Sequence, residues 1–372
     1  MKSLGFGRGT LCSCVAAAML AGCGGSQPGI GAAGPQSFQA VTHLATSAMK
    51  PGGILYAGIL NSSPSQVREY QYPFGRFFGR ITDGIALGNC CSHECNSGIA
   101  IDHSGELFVA DYGDNTVTGY ATPNYFGKKP GTLLTVISSG ITSPCGIVID
   151  GENNLFVTLG NGGDFVNEYA PPYKHVLRQF TEGCGISWTA VNSQGNFFMQ
   201  TCSAIYEFIR PNWRHRVISE GLDDPNAFAF DAQDNLWVSN EGNSTVTEYA
   251  CCAYGGPPVL TLDVNFDLLN QVFVYKGYVC VVNGGSSVIV CEVPPDYSST
   301  WTITSGLHYP GLGIVDDQGD LIVSNCCVDG HIAEYKWPWA TGSNGGNLYR
   351  TLPGDAWPMA YLPETSKMRA QP

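Results

Sequence analysis

Five residues with oxygen or amide side chains sit at the ends of short apolar runs of one shape. Asp111 closes LFVAD, Asn240 closes LWVSN, Asn283 closes VCVVN, Asn325 closes LIVSN, and Thr201 follows FFMQ. One carboxylate, three amides and a hydroxyl are all hard donors, a set that suits a divalent cation such as Ca2+ or the hydroxyls of a sugar-like ligand. The same residue types also favour turns, because Asp and Asn side chains bond nearby backbone. Sequence leaves both readings open. No better catalytic set competes with this one. The seven histidines are scattered, and none has a nucleophile or carboxylate at a catalytic spacing. Cys90, Cys91 and Cys95 with His93 form a local cluster of zinc-type donors, but no second clustered half accompanies it.

The runs belong to a repeated unit, best seen in Gly98 to Pro123, GIAIDHSGELFVADYGDNTVTGYATP. An apolar strand ends at Asp102, a tight turn follows, and a second strand leads to Asp111. After a polar turn, a third strand runs into Tyr120. The turn position is held by Asp102, Asp150, Asn192, Asp231 and Asp316, and Gly105, Gly195 and Gly319 supply positive φ just after it. Around Val279 the turn is replaced by a shorter Tyr275-Lys276-Gly277 link. Third strands share a column of Glu69-Tyr70, Gly119-Tyr120, Glu168-Tyr169, Glu207-Phe208, Glu248-Tyr249, Glu292-Val293 and Glu334-Tyr335. Prolines three residues beyond most of these aromatics stop the strand. Fourth strands are expected at Leu133–Ser138, Val176–Phe180, Val217–Ser219 and Val259–Leu262. The period is about 39 to 50 residues, the range of propeller blades.

The G-I-A-x-D-x-x-G-x-L-x-V-x-D pattern resembles the repeats of NHL-type β-propellers over roughly Pro51 to Pro363. That resemblance implies an all-β, closed propeller of four-stranded blades, and many members of the family serve as interaction platforms. Counting inner strands gives seven blades, with six as the alternative if the unit around Val279 is misread. Trp357–Pro363 has no strands after it, and Ile54–Leu60, Gln66–Tyr72 and Phe77–Ile81 have no inner strand before them. Joining the N- and C-terminal strands completes one blade and removes the free edges. In such a ring the ends of all second strands share one face around the axial channel, which brings Asp111, Thr201, Asn240, Asn283 and Asn325 to it as a ligand-binding set. Ile59 and Leu159 hold the same place in two other units. The Glu column lies outward of the axis and is expected to be solvated or paired between blades.

The N-terminus reads as a targeting signal. Lys2 and Arg8 precede the apolar stretch LCSCVAAAML, and Leu20-Ala21-Gly22-Cys23 resembles the lipobox of bacterial lipoproteins, in which the Cys is acylated. Residues 1–22 are then a signal peptide, 23–50 a Gly/Pro/Ala-rich tether with a reach of roughly 30 Å, 51–363 the propeller and 364–372 a tail. The localisation expected is the cell envelope, with membrane attachment through the lipid alone. The formal charge of −13 becomes two units more negative without Lys2 and Arg8, which argues against nucleic acid as a partner.

Of fifteen cysteines, Cys12, Cys14 and Cys23 fall in or at the end of the signal, leaving an even number, as disulfides in an exported protein require. Cys280 and Cys291 are symmetric about the Asn283–Ser287 turn, so they are expected to oppose each other on antiparallel strands and to bond. Cys184 and Cys202 fall at the same end of one blade and are the second expected pair. Cys251-Cys252 and Cys326-Cys327 are adjacent pairs whose partners the sequence does not assign.

Two functions follow. The first is a lipid-anchored binding or scaffolding platform for a protein or a small polar, carbohydrate-like ligand. The second is a metal-dependent hydrolase or lyase at the axial channel. The chain resembles gluconolactonase-type and virginiamycin-lyase-type propellers in architecture, but it lacks the early Glu-Gly-Pro motif of the one and the Thr-Glu strand ends of the other. Those departures favour the platform.

Overall fold

The computed structural model describes residues 53–59, 62, 64–72, 76–87, 98–160, 165–181, 185–186, 188–325, 330–341, 345–354 and 356–363. Cys23, Cys184, the Cys90–Cys95 cluster, Cys326-Cys327, the signal, the tether and the tail lie outside these residues.

Among the described residues, twenty-eight strands form seven separate four-stranded antiparallel sheets. Blade 2 spans Ile99–Ile137, blade 3 Pro144–Phe180, blade 4 Thr189–Ile218, blade 5 Pro225–Asp263, blade 6 Leu269–Ile303 and blade 7 Pro310–Pro353. Blade 1 is composite. Gly53–Ile59, Gln66–Tyr72 and Arg76–Ile81 supply its outer strands, and Ala356–Pro363 pairs antiparallel with Gly53–Ile59 as its inner strand, with Tyr56 opposite Ala360. Inner strands contact inner strands from blade to blade, including the C-terminal one against Ile99–Ile101 of blade 2. The molecule is a seven-bladed β-propeller closed by its two terminal strands.

Each blade is set by the same local chemistry. One oxygen of Asp102, Asp150, Asn192, Asp231 or Asp316 accepts the N–H groups two and four residues on, which locks the turn between the first and second strands. The residue three places on adopts positive φ: Gly105, Gly195 and Gly319, but Asn153 and Asp234 in blades 3 and 5. Blade 6 turns on Lys276 and Gly277 alone, both at positive φ, as the two-residue hairpins of twisted strands require.

The core lies between blades. Phe156 of blade 3 stacks on Phe197 of blade 4 at 4.6 Å, and Phe198 of blade 4 meets Phe230 of blade 5 edge-on at 4.8 Å. Fourth strands depart most from expectation: blade 4 uses Arg214–Ile218 and not Val217–Ser219, and blade 3 only Arg178–Phe180. These strands are sheet edges with one solvated side, so their apolar alternation is weak.

The Glu column is a correction. Glu168, Glu207 and Glu334 are no more than 2% exposed and are neither solvated nor paired between blades. Each is ion-paired with the arginine directly opposite on its own fourth strand: Arg178 at 2.6 Å, Arg216 at 3.3 Å and Arg350 at 2.6 Å. Outward of the axis here still means inside the blade stack.

Candidate functional site: the axial face

Antiparallel strands alternate in direction, so the connections between second and third strands, and from each fourth strand to the next blade, lie on one face. Asp111, Asn240, Asn283 and Asn325 all end second strands there, and Thr201 opens the turn just after Gln200 ends its strand. All five are at most 3% exposed.

Their polar atoms are used within the protein. The side-chain oxygen of Asp111 accepts the N–H of Ala86 at 2.9 Å, that of Asn240 the N–H of Asp223 at 3.2 Å, that of Asn283 the N–H of Leu268 at 3.3 Å, and that of Asn325 the N–H of His308 at 2.7 Å. Each donor lies on the loop that enters the blade from its predecessor. The second oxygen of Asp111 accepts from Thr118, and the Asn240 amide donates to Thr245 and Thr247. Thr201 bonds Ala204 and closes its own turn. Four of the five therefore clamp the incoming loops of this face from beneath, and Thr201 holds its own turn. Blade 3 has Leu159 at the clamp position, and there Asn167 donates to Gly140 on the incoming loop instead.

Burial raises the Asp111 pKa to about 7, against the lowering effect of its bonds from Thr118 and Ala86. With both its oxygens engaged, Asp111 is a poor start for a cation cage. Among the described residues, no three His, Cys, Asp or Glu side chains come together in a way that could hold a metal.

A second set of amides, which the sequence reading missed, ties the inner strands together around the axis. Gln200 donates to Pro225 of the next blade at 2.7 Å, Asn226 to Leu269 at 3.2 Å, and Asn270 to Pro310 at 2.7 Å. Asn226 and Asn270 sit at β-bulges where the inner strand begins, which turns an otherwise sheet-facing residue towards its neighbour. The legible signal was an amide beside the residue that starts the inner strand in blades 5 and 6.

What the face presents to solvent is acid. Asp83, Asp114, Glu220, Asp223, Asp224 and Asp267 are exposed on its loops. Among the described residues these loops hold no Lys or Arg, whereas Lys128, Lys129, Lys174, Arg210, Lys276 and Lys336 lie on connections of the opposite face, mixed there with acids of which Glu152 and Asp296 are exposed. His103, on that opposite face, bonds Asn153 of the neighbouring blade's turn and so joins two blades.

Two disulfides have both of their cysteines among the described residues. Cys280 and Cys291 are directly opposed and bonded, with Cα atoms 4.0 Å apart. Cys251 is bonded to its neighbour Cys252, a pairing the sequence left unassigned. Cys145 and Cys202 are also disulfide-bonded.

No protein family matches the chain by sequence, and no curated protein does. Solved structures match it by shape. A structure from Bacteroides uniformis, provisionally named a 6-phosphogluconolactonase, has a TM-score of 0.64 at 12% identity, over 84% of this chain and 100% of that one. A protein of unknown function from Desulfotomaculum acetoxidans gives 0.63 at 11% identity, over 84% and 99%. Virginiamycin B lyase from Staphylococcus aureus gives 0.54 at 10% identity, over 72% and 90%. The likeness is one of fold.

Proposed function

We propose that this chain is an exported, lipid-anchored β-propeller that acts as a binding platform, taking a positively charged protein or peptide segment on its axial face. The observation that carries the reading is where the bases fall: the described loops of the axial face carry exposed acids and no Lys or Arg, whereas the connections of the opposite face mix lysines and an arginine with acids. A surface of one sign raises the local concentration of oppositely charged ligands and steers their approach. The loops that carry the acids are clamped by Asp111, Asn240, Asn283 and Asn325, so binding has little loop ordering to offset.

The test is the affinity of the mature protein for an oligolysine peptide, read by fluorescence anisotropy at low and physiological salt. A Glu220→Gln, Asp223→Asn, Asp224→Asn variant should bind at least about tenfold more weakly at low salt, where screening is least. A Lys128→Ala, Lys129→Ala variant should bind as the parent does. Equal affinity in all three proteins would refute the reading. Anchoring is tested separately: Cys23→Ser should move the protein from the membrane fraction to the soluble one, and unchanged partitioning would exclude lipidation.

A hydrolase or lyase acting at the channel is the second reading, supported by the lactonase-named and lyase neighbours in fold. A divalent ion retained at one equivalent by the purified mature protein would favour it.

A further inference from the structure

Directly opposed residues define a row across each blade, and the row through the Glu column shows how these carboxylates are satisfied. From second strand to fourth it reads Phe156, Glu168, Arg178 in blade 3; Phe198, Glu207, Arg216 in blade 4; and Ile322, Glu334, Arg350 in blade 7. In these three blades a buried carboxylate receives a guanidinium from the edge strand. The three arginine side chains are 34%, 33% and 18% exposed, so the position opens at the rim of the ring. Blade 6 sets Thr300 against Glu292 and bonds it through the hydroxyl. Blade 5 has Leu260 opposite Glu248, which is only half-buried.

Glu207 and Glu334 each still have one oxygen without a hydrogen bond, but within ion-pair distance of Arg216 and Lys336, and in blade 2 the Glu106 carboxylate lies over Gly119 with one oxygen likewise unbonded. Blade 1 combines a buried glutamate, no ion pair among the described residues and a buried tyrosine. Its row is Tyr56, Glu69, Gly79. Glu69 is 6% exposed and Tyr56 is fully buried, yet one oxygen of the Glu69 carboxylate and the Tyr56 hydroxyl find no hydrogen-bond partner among the described residues. The residue directly opposite Glu69 on the edge strand is Gly79, which has no side chain to offer. The Glu69 carboxylate lies over Gly79, where an added Cβ would come within 2.3 Å of it. No other blade places a hydroxyl at the position of Tyr56, which is Phe, Trp, Val or Ile elsewhere.

We propose that Glu69 and Tyr56 form a binding site for a guanidinium group at the rim of blade 1. A buried carboxylate with an unmade bond calls for a donor, and a buried charge calls for a cation. Guanidinium suits both needs: it is planar, always charged, more weakly hydrated than ammonium, and has donors to spare for the phenolic oxygen beside the carboxylate. The same fold makes this contact internally in three other blades. In blade 1 glycine removes the internal arginine and tyrosine adds an acceptor, leaving the contact to an arginine side chain from elsewhere. Desolvation raises the Glu69 pKa, and a bound cation would reverse that shift. The site lies at the rim and does not depend on the axial-face reading.

The probe is Nα-acetylarginine methylamide, with the acetyllysine analogue as control, titrated into the mature chain by calorimetry. The arginine compound should bind at least tenfold more tightly than the lysine one. Glu69→Gln should remove that preference. Gly79→Arg should do so as well while raising the melting temperature, since it rebuilds the row of blades 3, 4 and 7 and the displaced group is the end of a flexible side chain. No binding to the parent chain, or equal binding in Glu69→Gln, would overturn the proposal.

Discussion

Asp111 and its counterparts Asn240, Asn283 and Asn325 do one job with two chemistries, and the difference has a pH signature. Burial raises the native pKa of Asp111 to about 7 from 3.8, so the folded protein keeps a proton that the unfolded chain has lost. Stability from this group is therefore full below about pH 4 and is lost as pH rises through 7. An amide avoids that loss. In Asp111→Asn the oxygen can still accept from Ala86, and the amide can donate to Thr118 as Asn240 donates to Thr247. The variant should be more stable than the parent at pH 8, by on the order of 2 to 4 kcal/mol, and the gap should close towards pH 4. Chemical denaturation at several pH values measures it, and a gap independent of pH would contradict this account of Asp111. The column of residue types was plain in the sequence, but its role was not. A ligand ring and a loop clamp ask for the same side chains, and only the position of the Ala86 N–H, 25 residues earlier in the chain, separates them.

Between blades the aromatic column of the third strands acts as a set of latches. The hydroxyls of Tyr70, Tyr120, Tyr169, Tyr249 and Tyr335 donate to the carbonyls of Pro353, Asp83, Ser139, Glu220 and Ser305, each at the exit of the preceding blade. Phe208 in blade 4 and Val293 in blade 6 have no hydroxyl to offer. Tyr249→Phe keeps the buried ring but leaves the Glu220 carbonyl without this donor, and should cost about 1 to 2 kcal/mol. Amide exchange should also quicken in the 219–224 loop, and unchanged exchange and stability would show that the latch carries no weight. The aromatics were legible because strand stops follow them at a fixed distance; their bonding partners were not, since those lie in irregular loops. Fourth strands were least legible for a related reason. RHRVI in blade 4 faces solvent along its edge, and its arginines read as loop until Glu207 is seen beneath Arg216.

For the whole molecule, ring closure was readable because the orphan strands at the two ends complete one blade. Ala356–Pro363 is the only strand of its blade drawn from the C-terminus, and it also touches the inner strands of blades 7 and 2. Removing it would expose the edge of Gly53–Ile59 and open the ring. A chain truncated after Pro353 should lose cooperative folding altogether, and a truncated chain that melts like the intact one would contradict closure. The polarity of the ring was less visible, because acids and bases alternate along the sequence, and the confinement of the connection lysines and arginine to one face shows only when the connections sort to two ends.

That polarity underlies the binding claim, and hydrogen exchange of the mature protein with and without saturating oligolysine tests it most directly. Protection is predicted in the axial loops 219–224, 241–244 and 264–268, with 122–132 and 210–213 on the opposite face unchanged. Protection confined to the opposite loops, or spread evenly over both faces, would contradict it.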